Sequence, residues 1–290
     1  MPSDSPYPIE ADAILVPLEN LLETFINKID RVWPPAVPAQ PAEIYLTGFI
    51  AIGRNYFRTI RYICADRNRE KDLARKLEYT KSAPALARVL VEIFFNAAFM
   101  LEDLPTRAER YEKAIWKEMR EHVERLEQEF GKDPDWQEPI AARRRKMEEG
   151  IRQFGITPEE VANPKLILRW PKPREMRENT STELREFLDY LNTWFYGSLS
   201  EDAHVKGLGF MRAFAGLVPT SRPDVSEAIN RHAMGTMGTA AAVLTSLLSE
   251  IQLSLRFDGQ SERLKSLWIL VIEVASLSQG LYDRRYRDRL

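Results

Sequence analysis

Wherever proline does not interrupt the chain, its apolar residues recur at three- and four-residue steps, the period of a helix. No stretch of useful length alternates with the period of a strand. Leu18, Leu21, Leu22, Phe25, Ile26 and Ile29 form a first amphipathic stripe, with Pro17 where a first turn tolerates it. The segment PPAVPAQP, Pro34 to Pro41, cannot continue that helix and reads as a stiff extended linker. Residues 1–41 are therefore expected to be a tail, a helix and a linker ahead of a helical domain over 42–290, whose first helix runs from Ala42 to Ala65.

The most apolar stretch is Ser82 to Asp103, SAPALARVLVEIFFNAAFMLED. Its polar interruptions, Arg88, Glu92 and Asn96, fall four residues apart on one stripe, while Leu86, Val89, Leu90, Ile93, Phe94, Ala97 and Leu101 fill the rest of the circumference. This predicts a central buried helix carrying an Arg/Glu pair, which is either an internal clamp or the floor of a polar cleft. Stranding a buried partner is costly, so Arg88→Ala is expected to cost roughly 3 kcal/mol or more.

Thr106 and Glu109 have capping-box spacing and Gly131 fits a stop, which predicts a long helix over 106–130. A polar helix follows over 133–155, and Thr157, Pro158 and Glu160 cap a short turn. Asn163 to Thr180 contains three prolines and no helical period, so it reads as a long loop and a possible sub-boundary. Ser181 or Thr182 caps a helix that can break at Gly197, Asp224 starts another, and a last helix is expected over 261–282. With no βαβ alternation and no repeat, the fold class is all-α: a bundle of about eight helices in a single globular domain.

Composition agrees with a globular chain: 290 residues, 44% hydrophobic and 29% charged. The formal net charge of −2 gives no global attraction to nucleic acid or anionic membrane. Cys64 is the one cysteine, so no internal disulfide forms, and it reads as a small buried hydrophobe in a cytoplasmic protein. The amino terminus lacks a signal-peptide pattern, and the apolar runs 85–101 and 267–277 are broken by charge or too short to span a bilayer, so no membrane is expected.

Candidate chemistry concentrates in two places. The second helix carries Arg54, Arg58 and Arg61 among Tyr56, Phe57 and Tyr62, a local basic face able to contact nucleic acid or simply to be solvated. Further on, Tyr196, Ser200 and His204 share a helix face at four-residue spacing, a ligand-binding set with His204 available as acid or base. Glu201 and His204 form half of a carboxylate di-metal motif, but there is no second copy, so neither metal nor cofactor is expected. Phosphate-loop, dinucleotide-fold and nucleophile-elbow signatures are absent.

The pairing of Ser82-x5-Arg88-x3-Glu92 with Tyr196-x3-Ser200-x3-His204 resembles a widespread prokaryotic family of helical proteins known only as a domain of unknown function. That resemblance covers roughly Ile44 to Leu255 and implies an all-α fold in which Arg88, Glu92, Ser200 and His204 converge; it lends no reaction. Two functions follow from the residues. One is a scaffold, regulatory or interaction protein whose Arg88/Glu92/His204 cluster fixes helix register. The other is a metal-independent phosphodiester hydrolase, RNA-directed, using Arg88 and His204. The partners expected are a second copy, through Gly235 to Ala242 and the face Leu267 to Leu277, or another protein.

Overall fold

The computed structural model describes residues 10–31, 41–66, 73–197, 199 and 223–290, and every regular element among them is helical. In chain order these are α1 (Glu10–Ile29), α2 (Pro41–Arg61), α3 (Leu73–Leu101), α4 (Leu104–Phe130), α5 (Pro134–Gln153), α6 (Pro158–Ala162), α7 (Pro173–Glu178), α8 (Thr182–Leu191), α9 (Pro223–Leu255), α10 (Gln260–Val274) and α11 (Ser278–Leu281). Wide π-helical turns extend three of them, over Tyr62–Asp66, Asn192–Tyr196 and Tyr282–Tyr286.

The all-α bundle agrees with the periodicity, but several boundaries move. α1 starts at Glu10, so Pro17 lies inside it rather than in its first turn. α3 starts at Leu73, well before Ser82, and accommodates Pro84 internally. α4 begins at Leu104 with Pro105 in its first turn, which leaves the Thr106/Glu109 box unused. The Thr157/Glu160 box does form, with both reciprocal bonds near 3 Å. The 163–180 stretch is not wholly a loop, since it contains a 3-10 turn at Pro164–Leu166 and the helix α7. The last helix is broken at Ala275, so α10, α11 and the final π-turn replace one continuous element.

The deepest element is α9 rather than α3. From Ala240 to Gln252 every residue of α9 is buried, and the helix touches α1, α2, α3, α10 and α11. Small residues let neighbours approach: a Cβ added at Gly238 would come within 2.7 Å of the Ala275 Cβ, so the face of Gly235 to Ala242 is largely consumed inside the fold. α1 contributes Leu18, Leu22, Phe25 and Ile29 to the same core that holds Phe94, Phe95 and Leu248. A smaller core of Trp116, Ile156 and Ile167 lies where α4 and α5 pair as a hairpin. Cys64 is buried as expected, and that burial pushes its thiol pKa up to about 12. α3 and α9 are each apolar enough over Lys81–Leu101 and Arg231–Leu255 to cross a membrane, yet 61% and 78% of those windows are buried within the bundle.

Burying α9 on all sides also buries its polar atoms, and the C-terminal segment supplies partners for them. Glu250 and Arg285 form a two-pronged ion pair, Nε to Oε1 at 2.8 Å and Nη2 to Oε2 at 2.9 Å, with side chains only 6% and 9% exposed. Burial alone would lower the Arg285 pKa, but the hydrogen bonds and charge of Glu250 outweigh it and hold the guanidinium above its ordinary value. The Trp268 indole donates to Ser249 Oγ at 3.0 Å, and the Tyr286 hydroxyl donates to the Ser246 carbonyl at 3.3 Å. Trp268 and Tyr286 stack with ring centroids 5.3 Å apart.

Arg285→Ala is expected to lower stability by about 3–5 kcal/mol, because Glu250 is then left buried without its countercharge; urea unfolding should show the drop. A second buried carboxyl behaves differently. Glu112 on α4 faces the Tyr45 hydroxyl, which donates to it at 3.5 Å, and desolvation raises its pKa, helped by the nearby Glu109 charge. A carboxyl raised in the folded state stabilises the fold at low pH and loses that contribution as pH rises through the folded pKa. Glu112→Gln should therefore raise the melting midpoint at neutral pH, with the gain disappearing as pH is lowered below the ordinary carboxylate range.

Candidate functional site

α3 carries Arg88, Glu92 and Asn96 on one stripe, and the π-turn Asn192–Tyr196 brings Tyr196 against it. Arg88 Nη2 donates to the Tyr196 hydroxyl at 2.9 Å and lies 3.2 Å from Glu92 Oε1, while that hydroxyl donates to the same carboxylate oxygen at 3.1 Å. The guanidinium also sits 5.1 Å from the centre of the tyrosine ring. The bond to Tyr196 is the largest influence and raises the Arg88 pKa; desolvation opposes it, and the charges of Tyr196 and then Glu92 add smaller upward contributions. The two motif segments thus meet through Tyr196. They do not meet in the core: the Arg88 and Glu92 side chains are 27% and 39% exposed, so the expected buried pair is a cluster at the rim of the bundle.

That cluster forms one wall of a cleft of about 460 Å³. Glu92, Asn96 and Tyr196 face Lys117, Glu118 and Glu121 of α4, and the segment from Arg169 to Pro173 with Met176 forms the remaining side. Trp170 anchors that segment. Its indole donates to Asn96 Oδ1 at 2.6 Å, and its ring packs edge-on against Phe99 at 5.3 Å and Tyr111 at 4.6 Å. Asn96 Nδ2 in turn donates to the Glu92 carbonyl at 2.8 Å, so the Trp170 contact and the Arg88/Glu92/Tyr196 triangle belong to one hydrogen-bonded chain.

The segment is held by a row of cations along α4. Arg107 donates to the Asn179 carbonyl, Arg110 to the Arg169 carbonyl at 2.8 Å, Lys117 to the Ile167 carbonyl at 3.0 Å and Arg120 to the Val161 carbonyl, while Lys113 binds Glu160 at 2.9 Å. Spacings of three and four keep these five side chains on one face, where four of them satisfy backbone carbonyls and Lys113 binds a carboxylate. Crowding has a cost at Arg110, whose pKa is lowered by burial first and then by the like charges of Arg107 and Arg169.

Of the other residues singled out in the sequence, Arg58 and Arg61 turn toward Glu19 of α1, at 3.1 and 3.9 Å, and so fasten α2 to α1. Arg54 lies beside them on α2, partly buried. Ser200 and His204 lie outside the described residues, and so does the half-motif that includes Glu201. His122 and His232 are exposed. No group of three histidine, cysteine or acidic side chains gathers among the described residues in a way that could hold a metal. Chemically, the cleft offers a carboxylate oriented by arginine and tyrosine, further carboxylates and ammonium groups at its mouth, and an aromatic and proline floor.

Compared with models of known families, with curated proteins and with solved structures, the chain matches none.

Because Arg88 and Glu92 remain partly in water, Arg88→Ala should cost about 1 kcal/mol rather than 3, through loss of the Tyr196 bond more than through a stranded charge. Tyr196→Phe combined with Glu92→Gln should be non-additive by roughly 0.5–3 kcal/mol in a double-mutant cycle of chemical denaturation, since both residues share one hydrogen-bond network.

Proposed function

We propose that this protein is a non-catalytic interaction protein, and that the cleft between α3, α4 and the Arg169–Met176 segment is its binding site. The observation that carries this reading is that the Arg88/Glu92/Tyr196 cluster opens onto a cleft of about 460 Å³ instead of being sealed in the core. A network serving helix register alone gains nothing from an open face, because solvent weakens its ion pair.

The lining matches a short peptide segment better than a phosphodiester. Arg88 Nη2 is engaged by both Glu92 and Tyr196, Arg169 is paired with Glu175, and Lys117 is bound to a carbonyl, while Glu92, Glu118 and Glu121 put carboxylates around the opening as prominently as cations. Trp170, Pro171, Pro173 and Met176 add an apolar side for an aliphatic or aromatic side chain, while Glu92 can accept from a backbone N–H. Oriented by its two donors, the carboxylate binds without losing side-chain freedom.

An array of random twelve-residue peptides, probed with the full chain, tests this reading. Peptides selected by the wild type should lose at least about tenfold in affinity to Glu92→Gln and to the rim variant Lys172→Glu, neither of which removes a core contact. Selected peptides indifferent to both substitutions would move the binding site elsewhere. Cleavage of a single-stranded RNA oligonucleotide by the wild type, lost in His204→Ala, would replace this reading with hydrolysis.

A further inference from the structure

We infer that the groove between α8 and the C-terminal segment binds a free α-amino acid, with the ligand carboxylate on Arg285 and Arg289 and its ammonium group between Glu186 and Asp288. The groove encloses about 450 Å³ and shares no lining residue with the cleft at Glu92, so this site stands without that one.

Arg285 is what calls for a ligand. Its side chain is only 9% exposed, and Nε and Nη2 are both taken by Glu250 in the core. Nη1 is left to the groove, where Glu183 Oε2, at 3.9 Å, is too distant for a hydrogen bond. That oxygen is held instead by Arg289 Nη1 at 3.0 Å. A guanidinium does not give up its proton, so the two N–H groups of Nη1 stay charged, on a side chain sunk in the protein, with no hydrogen-bond acceptor among the described residues. Glu183 shows that a carboxylate fits between the two arginines. A ligand carboxylate in its place gains charge-assisted bonds from both.

The rest of the lining rejects a simple anion. Asp283 is engaged by Gln279 at 2.6 Å and Arg287 at 2.5 Å, and Arg284 lies over the Tyr190 ring at 4.7 Å. Glu186 and Asp288 are exposed at the groove and have no ion pair or hydrogen bond among the described residues. Glu186 stands one turn of α8 beyond Glu183, about 5–6 Å between their Cβ atoms, and Asp288 stands three residues beyond Arg285. A bare carboxylate or phosphate is repelled by this pair, and a bare cation leaves Arg285 unsatisfied. A ligand that carries both charges on neighbouring atoms complements both walls, and the α-amino acid zwitterion is that ligand. Phe187 is the one apolar residue among the described lining and is itself buried, so the groove selects the ionic part of an amino acid rather than its side chain.

Ligand-observed NMR titration of the full chain tests the site with L-alanine and two near-isosteres: propionate, which lacks the ammonium group, and L-alaninamide, which lacks the carboxylate. L-Alanine should bind saturably and raise the melting midpoint, because it attaches to the folded chain. Propionate, L-alaninamide and inorganic phosphate should each bind at least about tenfold more weakly, the loss expected for one charge-assisted contact. Arg289→Gln should weaken L-alanine and propionate alike. Glu186→Gln should weaken L-alanine without weakening propionate, and Glu183→Gln, which removes the competing carboxylate, should tighten L-alanine. All three side chains are exposed, so the melting midpoints without ligand should stay close to that of the wild type. A wild type that shows no saturable L-alanine binding overturns the inference. Propionate or phosphate binding as tightly as L-alanine overturns it as well, by making the groove a plain anion site.

Discussion

Helix α9 has no free face from Ala240 to Gln252, and the rest of the bundle is arranged to make that burial possible. A helix surrounded on every side needs neighbours that approach closely, which Gly238 and the run of alanines from Ala240 to Ala242 permit. It also needs partners for each polar group it takes out of water. The C-terminal segment supplies two of these, since Trp268 reaches the Ser249 hydroxyl and Arg285 closes on Glu250 with two short bonds, and the Tyr286 hydroxyl adds a bond to the Ser246 carbonyl. The chain end is therefore part of the core chemistry, although its sequence, YDRRYRDRL, is among the most charged in the protein.

The cleft depends on a second device. The stretch between α6 and α8 has too little helix to satisfy its own backbone, and the cations of α4 do so from outside. Long basic side chains suit this task because their aliphatic stems lie along the apolar surface while the charged end reaches a carbonyl. The same row positions Trp170, which inserts between Phe99 and Tyr111 and bonds Asn96 on the polar stripe of α3. Fold stability and site geometry are thus joined at one tryptophan. Its removal would disturb the cleft wall and the aromatic contacts of α3 and α4 together.

Helical class, the polar stripe of α3 and the contact between its residues and Tyr196 were legible in the sequence because each rests on local spacing or on the need of a charged side chain for a partner. The depth of that stripe was not legible. Arg88, Glu92 and Asn96 interrupt a strongly apolar helix, and periodicity says which residues share a face without saying whether another helix covers that face. Glu250 shows the converse, a buried carboxylate of a long helix whose partner lies 35 positions away in the chain. The basic stripe of Arg107, Arg110, Lys113, Lys117 and Arg120 on α4 was not singled out, since nothing local marks such a stripe as donors to four carbonyls and to Glu160 rather than as a hydrated surface.

Local physics therefore determined where most helices run, that Cys64 is a small buried residue, and where the Thr157 cap sits, since each depends on neighbours within a few residues. Tertiary structure decided which helix is central, which ion pair is buried and which cluster opens to solvent. Those outcomes depend on how ten or more helical surfaces divide a limited interior, and burial at any one position is set by segments far away in the chain. α3 and α9 are similarly apolar, but α9 is enclosed by helices drawn from both ends of the sequence, so Glu250 is buried while Glu92 of α3 faces a cleft.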